Sequence, residues 1–166
     1  MTGSCSVLMV CLGNICRSPI AEALLRHKWN VIKNSSSTAA KVSELTVDSC
    51  GTAGYHIGNP PDIRGLLIMK KNGIETSHRC RKLRSSDADD FDYIFCMDYS
   101  NVQNVKRVLP QSAHSKVLLL GSFDPQGVEE IEDPYYGSED GFDVCFEHCG
   151  RCLDEFIKQK LLALTS

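Results

Sequence analysis

Apolar positions along the chain fall into four short runs, separated by longer stretches with helical spacing. Ser6 to Cys11 (SVLMVC) is a compact, partly β-branched run and predicts a first strand. Ser18 and Pro19 follow it, a favoured N-cap and a favoured first helical residue. They predict a helix from Pro19 to about Val31, with Ile20, Leu24 and Trp29 set among charged residues. Leu45 to Ser49 predicts a second strand. Pro60-Pro61-Asp62 opens a helix that runs to Lys71, and Asn72-Gly73 ends it. Asp92 to Met97 (DYIFCM) predicts a third strand, Ser100 to Val108 a helix, and Ser115 to Leu120 a fourth strand. A last helix is expected from about Glu139 to Leu164. Its apolar positions Phe142, Cys145, Cys149, Cys152, Leu153, Phe156 and Leu161 form a stripe that would face the sheet. Strands alternating with helices place the chain in the α/β class, with a central four-stranded parallel sheet flanked by helices on both faces. Lys33 to Lys41 (KNSSSTAAK) is the one low-complexity stretch and reads as an exposed, mobile loop.

A length of 166 residues suits one domain, 1–166, with a core of its own. Eighteen basic against 21 acidic residues leave a net charge of −3, which gives no electrostatic case for nucleic-acid binding. The first apolar run, Val7 to Cys11, is too short for a signal-peptide core or a membrane span, so a cytoplasmic location without a membrane partner is expected. Nine cysteines cannot all pair within one chain. They fit free thiols in a reducing compartment, mostly buried, with one or two reactive.

The candidate chemistry lies between strand one and helix one, in Cys11-Leu12-Gly13-Asn14-Ile15-Cys16-Arg17-Ser18. In open α/β folds, ligands bind beyond the carboxyl ends of strands. A helix N-terminus there offers free N–H groups and partial positive charge, and a loop wrapped around it makes an anion cradle. Gly13 and Asn14 tolerate the left-handed backbone such a loop needs. Five residues between Cys11 and Arg17 close it into roughly one ring, with the sulfur at its floor and the guanidinium over the same anion. Those N–H groups are expected to lower the Cys11 pKa and make a thiolate nucleophile, and the Ser18 hydroxyl could donate to it. A bare Cys and Arg six apart would equally describe a buried strand-end thiol; the strand before, the Ser-Pro after and the Gly-Asn inside favour the cradle.

A phenolic leaving group, with a free pKa of about 10, needs a proton. Asp133-Pro134-Tyr135-Tyr136 offers an acid on a stiff loop beside two aromatic walls. An ordinary Asp-Pro turn with two surface tyrosines is the plainer alternative.

Six segments extend the pattern: VCLGNICRSPIAEA (Val10 to Ala23), VDSCGTAGYHIGNPPD (Val47 to Asp62), SHRCRKL (Ser77 to Leu83), FDYIFCMD (Phe91 to Asp98), LLGSFDP (Leu119 to Pro125) and IEDPYYG (Ile131 to Gly137). Together they resemble the low-molecular-weight protein tyrosine phosphatases, also called low-molecular-weight acid phosphatases, over nearly the whole chain. The resemblance implies hydrolysis of phosphotyrosine in proteins and of small aryl phosphates. Cys11 would carry a phosphocysteine intermediate, Arg17 would bind the phosphoryl group, and Asp133 would serve as acid and then as base. Leu12, Gly13, Asn14, Ile15 and Cys16 would complete the substrate-binding loop, and Tyr55, Tyr135 and Tyr136 the pocket walls. Asn14, Ser18, Ser49 and His78 would hold the loop; His78 alone reads as a surface histidine. No metal or cofactor is implied, and a mainly monomeric protein with weak self-association is expected.

Cys16, inside the loop, could trap an oxidised Cys11 as a reversible disulfide, a use the resemblance supports; its other reading is space-filling. Cys149 and Cys152 form a CxxC pair, but on the core-facing stripe, which favours packing. Trp29 to Glu44 departs from the family and puts substrate preference in doubt; Cys50 and Ala53 read as packing changes. Three rivals remain. A thioredoxin-coupled arsenate reductase would use Cys96 as a relay, yet no cysteine stands near Gln103 for the next step. Phosphoarginine phosphatases carry threonine where Ile15 stands. A catalytically dead phosphotyrosine-binding module would have lost Cys11, Arg17 or Asp133, and all three are present.

Overall fold

The computed structural model describes residues 3–35 and 40–162. In chain order its main elements are β1 (Ser4–Cys11), α1 (Arg17–Lys33), β2 (Glu44–Gly51), α2 (Ile63–Lys71), α3 (Asp87–Asp90), β3 (Tyr93–Cys96), α4 (Tyr99–Val108), β4 (Val117–Leu119) and α5 (Gly141–Phe156). The four strands form one sheet of order β2-β1-β3-β4, every pair parallel. The chain leaves β1 to one side for β2 and crosses back to the other for β3. That reversal opens a crevice at the carboxyl end of β1, where the Cys11 loop begins.

β1 is buried on both faces, which is why it reads as a continuous apolar run rather than an alternating one. Cys5, Val7, Met9 and Cys11 join the core under α1 and α5, while Leu8 and Val10 join the core under α4. The stripe expected on the last helix is buried from Phe142 to Leu161. Phe156 sits at its centre, edge-on to Tyr93, Phe95 and Phe123 with centroids 5.1, 5.0 and 5.5 Å away. Cys149 and Cys152 are fully buried in the same layer.

Several boundaries differ from expectation. α1 starts at Arg17, with Cys16 at the N-cap position and no side-chain cap bond. Ser18 is therefore inside the first turn and is not the cap, because its hydroxyl is taken by the Cys11 sulfur at 3.0 Å. α2 starts at Ile63, since the Asp62 carboxylate caps it by accepting from the Arg64 N–H at 2.9 Å. β4 keeps three residues, and its neighbours form 3-10 turns at Gln111–Lys116 and Leu120–Phe123. The last helix begins at Gly141 and widens into a π turn at Ile157–Leu161; positions 163 and 164 lie outside the described residues, as do 36–39 of the Lys33–Lys41 stretch.

One glycine sets the path of the segment that leads to Asp133. A Cβ on Gly121 would stand 1.9 Å from the Glu129 carbonyl oxygen. This contact, with the Ile131 N–H donating to the Met97 carbonyl at 2.8 Å, brings residues 129–133 over the ends of β3 and β4.

Candidate active site

The loop from Cys11 to Arg17 turns through Asn14, which holds φ at 57°. Of the two residues expected to tolerate that region, Asn14 alone adopts it; Gly13 does not. The side chain of Asn14 is fully buried and faces away from solvent. Its Nδ2 donates to Ser18 Oγ (2.9 Å) and Ser49 Oγ (3.0 Å), and its Oδ1 accepts from His78 Nε2 (2.7 Å) and the Arg81 N–H (3.0 Å). Asn14 thus spends its side chain on holding the loop, and only its backbone can face a ligand. Ser49, at the end of β2, donates to the buried carboxylate of Glu22 at 2.6 Å. Glu22 also meets Arg26 at 2.8 Å and His78 Nδ1 at 3.1 Å. The Cys80 thiol closes the ring by donating to the Asn14 carbonyl.

Gly51 passes beneath this loop, where a Cβ would lie 2.7 Å from the Leu12 carbonyl oxygen. Cys11 is 3% exposed, its sulfur 3.0 Å from Ser18 Oγ. Arg17, also 3% exposed, donates from Nη1 to Asp98 Oδ2 (2.6 Å) and to the Ile131 carbonyl (3.0 Å), and its Nη2 stands 3.5 Å from Asp133 Oδ2. Burial opposes its charge, but Cys11, Asp98 and Asp133 hold the guanidinium pKa above its ordinary value. Asp98 is itself fixed as the N-cap of α4 through the Asn101 N–H. Asp133 accepts at Oδ1 from the Tyr135 N–H, which orients a side chain that is 45% exposed.

These groups share one cleft of about 330 Å³. Cys11, Leu12, Gly13, Ile15, Cys16 and Arg17 line its floor, and Tyr55, Tyr135, Tyr136 and Asp133 its walls. Ser18, Ser49 and His78 stand behind the loop. A mostly apolar cleft that narrows onto a buried sulfur and a guanidinium suits a flat ring carrying a tetrahedral anion.

The chain matches the family model of the low molecular weight phosphotyrosine protein phosphatases over residues 6–164. It is 50% identical over 147 residues to the Schizosaccharomyces pombe protein of that name, covering 88% of this chain and 90% of the relative. The Homo sapiens protein of the same name is 47% identical over 157 residues, covering 93% and 94%. The chain belongs to this family. It is accordingly a phosphatase, a hydrolase of the phosphotyrosine protein class. Among solved structures, a protein tyrosine phosphatase from Entamoeba histolytica with Hepes in its active site superposes with a TM-score of 0.83 at 32% identity, over 93% of this chain and 96% of that one. A Drosophila arginine phosphatase superposes at 0.80 with 35% identity, over 92% and 96%.

In this phosphatase several site residues escaped sequence reasoning. Glu22 lies on the helical face that also packs the core, so only its burial marks it. Asp98 ends the Phe91 to Asp98 segment, but its double use as helix cap and Arg17 partner needs the fold. His56 lines the cleft, its ring against Gly13, where a Cβ would be 3.1 Å from His56 Cδ2. Cys80 supports the loop from a strand-like segment beside Gly51. Cys96 is fully buried at the end of β3, and burial raises its thiol pKa above the ordinary value, which fits packing rather than relay chemistry. Among the described residues no helix is long and apolar enough to cross a membrane.

Proposed function

We propose that this phosphatase hydrolyses phosphotyrosine in proteins, and small aryl phosphates, through a phosphocysteine on Cys11. The Cys11 thiolate attacks phosphorus in line, and the bond from phosphorus to the phenolic oxygen breaks. Asp133 delivers its proton to that oxygen. Its carboxylate then takes a proton from water as the water attacks the phosphocysteine; the sulfur–phosphorus bond breaks and inorganic phosphate leaves. Arg17 holds two phosphoryl oxygens through both steps. Leu12, Gly13, Ile15 and Cys16, with the backbone of Asn14, form the cradle, and Tyr55, Tyr135 and Tyr136 hold the ring. Ser18 donates to the Cys11 sulfur and eases its departure, while Ser49 and His78 keep the loop in shape.

The observation that carries this proposal is the convergence of Cys11 and Arg17, from one loop, with Asp133, from more than a hundred residues further on, in one cleft. Ile15 and the tyrosine walls favour an aryl ester over a guanidino phosphate. Rapid-quench hydrolysis of a radiolabelled aryl phosphate should give a burst of phenolate with phosphate trapped on Cys11. Cys11→Ser should lose the burst, the label and turnover, by roughly 10⁴-fold or more. Turnover retained in Cys11→Ser would sink the mechanism.

The same cleft supports a redox role for Cys16. Burial, then the charges of Asp62 and Asp133, raise its pKa far above the ordinary thiol value, so it waits as the thiol. Once peroxide converts Cys11 to a sulfenic acid, condensation with the Cys16 thiol forms a disulfide and releases water. All nine cysteines are free and buried, which supports a reducing, cytoplasmic setting.

A further inference from the structure

A second cavity, of about 320 Å³, adjoins the catalytic cleft, and Asp133 lines both. Val128, Pro134 and Val144 give it apolar surface. Glu130, Glu132 and Asp140 stand around that surface with Asp133. Its two basic groups are already engaged. Arg151 donates to both oxygens of Asp124 at 2.8 and 3.1 Å, and His148 Nε2 lies 2.9 Å from the Val128 carbonyl. The charge left facing the cavity is negative. Glu132 has no hydrogen bond or ion pair with any described residue, so its carboxylate is available to a ligand.

An apolar surface beneath carboxylates matches a long basic side chain: the methylene stem covers the valines and the cation reaches the acids. The occupant follows from continuity with the cleft. A phosphotyrosine seated on Cys11 has Asp133 beside its phenolic oxygen, so a nearby residue of the same peptide reaches the far side of Asp133 at high effective concentration. We propose that this cavity receives a lysine or arginine side chain near the phosphotyrosine of the substrate, and so selects basic phosphotyrosine segments. The proposal rests on the phosphatase mechanism above.

The test uses phosphotyrosine peptides carrying Lys, Ala or Glu at positions near the phosphotyrosine. Their affinity is measured calorimetrically for the Cys11→Ser protein and their kcat and KM for the active enzyme, with phenyl phosphate as control. At one register the Lys peptide should bind about fivefold tighter than the Ala peptide, an exposed ion pair's worth, with the gain in KM rather than kcat. Glu132→Gln should remove most of that gain and Glu132→Lys should transfer it to the Glu peptide, while phenyl phosphate turnover stays unchanged in both. Added n-butylammonium should weaken the Lys peptide and leave the Ala peptide alone. Equal binding of Lys and Glu peptides, or a Lys preference that survives Glu132→Lys, overturns the proposal. Butylammonium that alters phenyl phosphate turnover without any peptide preference also overturns it, since the cavity would then serve a free cation. If Cys11→Ser shows the Lys preference while the unaltered enzyme hydrolyses neither peptide nor phenyl phosphate, the mechanism fails and the cavity assignment stands.

Discussion

Two loops meet at Arg17, and they are built in opposite ways. The phosphate loop, 11–17, rests on a buried polar network: Asn14 is 0% exposed and makes four side-chain hydrogen bonds reaching residues up to 67 positions away. The loop of Asp133 carries that residue at 45% exposure and Tyr136 at 94%, and two arginines tie it to the rest: Arg17 lies 3.5 Å from Asp133, and Arg64 donates to the Tyr135 carbonyl at 3.2 Å. The difference follows from what each must do. An anion cradle works only if its N–H groups are aimed before the ligand arrives, so its backbone is clamped from behind. In the proposed reaction Asp133 and the tyrosines meet whatever ring and peptide the substrate brings, and exposure leaves them free to adjust.

Substitutions can break that contrast, and the largest effect is expected on the exposed side. Asp133→Ala should slow esters with poor leaving groups by about 10²–10⁴-fold, and those with good leaving groups far less, at nearly unchanged stability. A plot of rate against leaving-group pKa checks this; equal slowing of all esters would remove Asp133 as the acid. Asn14→Gly keeps the left-handed backbone but deletes four hydrogen bonds, so it should cost about 2–3 kcal/mol in denaturant unfolding and lower kcat together with it. Asn14→Ala should cost about 1 kcal/mol more, from the strained φ. If Asn14→Gly proved as stable as the unaltered protein, the clamped-loop view would fail.

The loop of Asp133 has a buried root behind its exposed tip. Asp124 accepts from Arg151 and from the Gln126 and Val128 N–H groups. Burial raises its pKa, but the Arg151 hydrogen bond and the two N–H groups win and hold it at about 2. A carboxyl whose folded pKa is depressed stabilises above its unfolded pKa of about 3.9 and loses that contribution as the pH falls towards the folded value. Asp124→Asn should therefore cost roughly 1–2 kcal/mol at neutral pH and progressively less between about pH 4 and pH 2, read from unfolding midpoints across that range. Smallest of all, Tyr136→Ala should raise KM for a phosphotyrosine peptide about two- to threefold through lost ring contact, with kcat and stability held. A large loss of stability there would mean that the tip is as integrated as the phosphate loop.

The loop from Cys11 to Arg17, the Asp133-Pro134 turn and the α/β class were all readable along the chain, because each is local. A buried strand must be continuously apolar, a core-facing helix must repeat its apolar positions, and a cradle must join a strand end to a helix start. The stripe on α5 and the run before Cys11 are direct records of those demands. What tertiary structure alone decided is which polar groups meet. Glu22 under Ser49, Asp98 on Arg17, Cys80 on the Asn14 carbonyl and Glu132 over the second cavity depend on the β2-β1-β3-β4 order, which brings together segments far apart in sequence. Even Ser18 shows the limit: local propensity made it a helix cap, and the nearby Cys11 sulfur took its hydroxyl instead. Periodicity records which face of an element is buried, but a hydrogen bond records where two elements lie, and that position exists only once the sheet has formed.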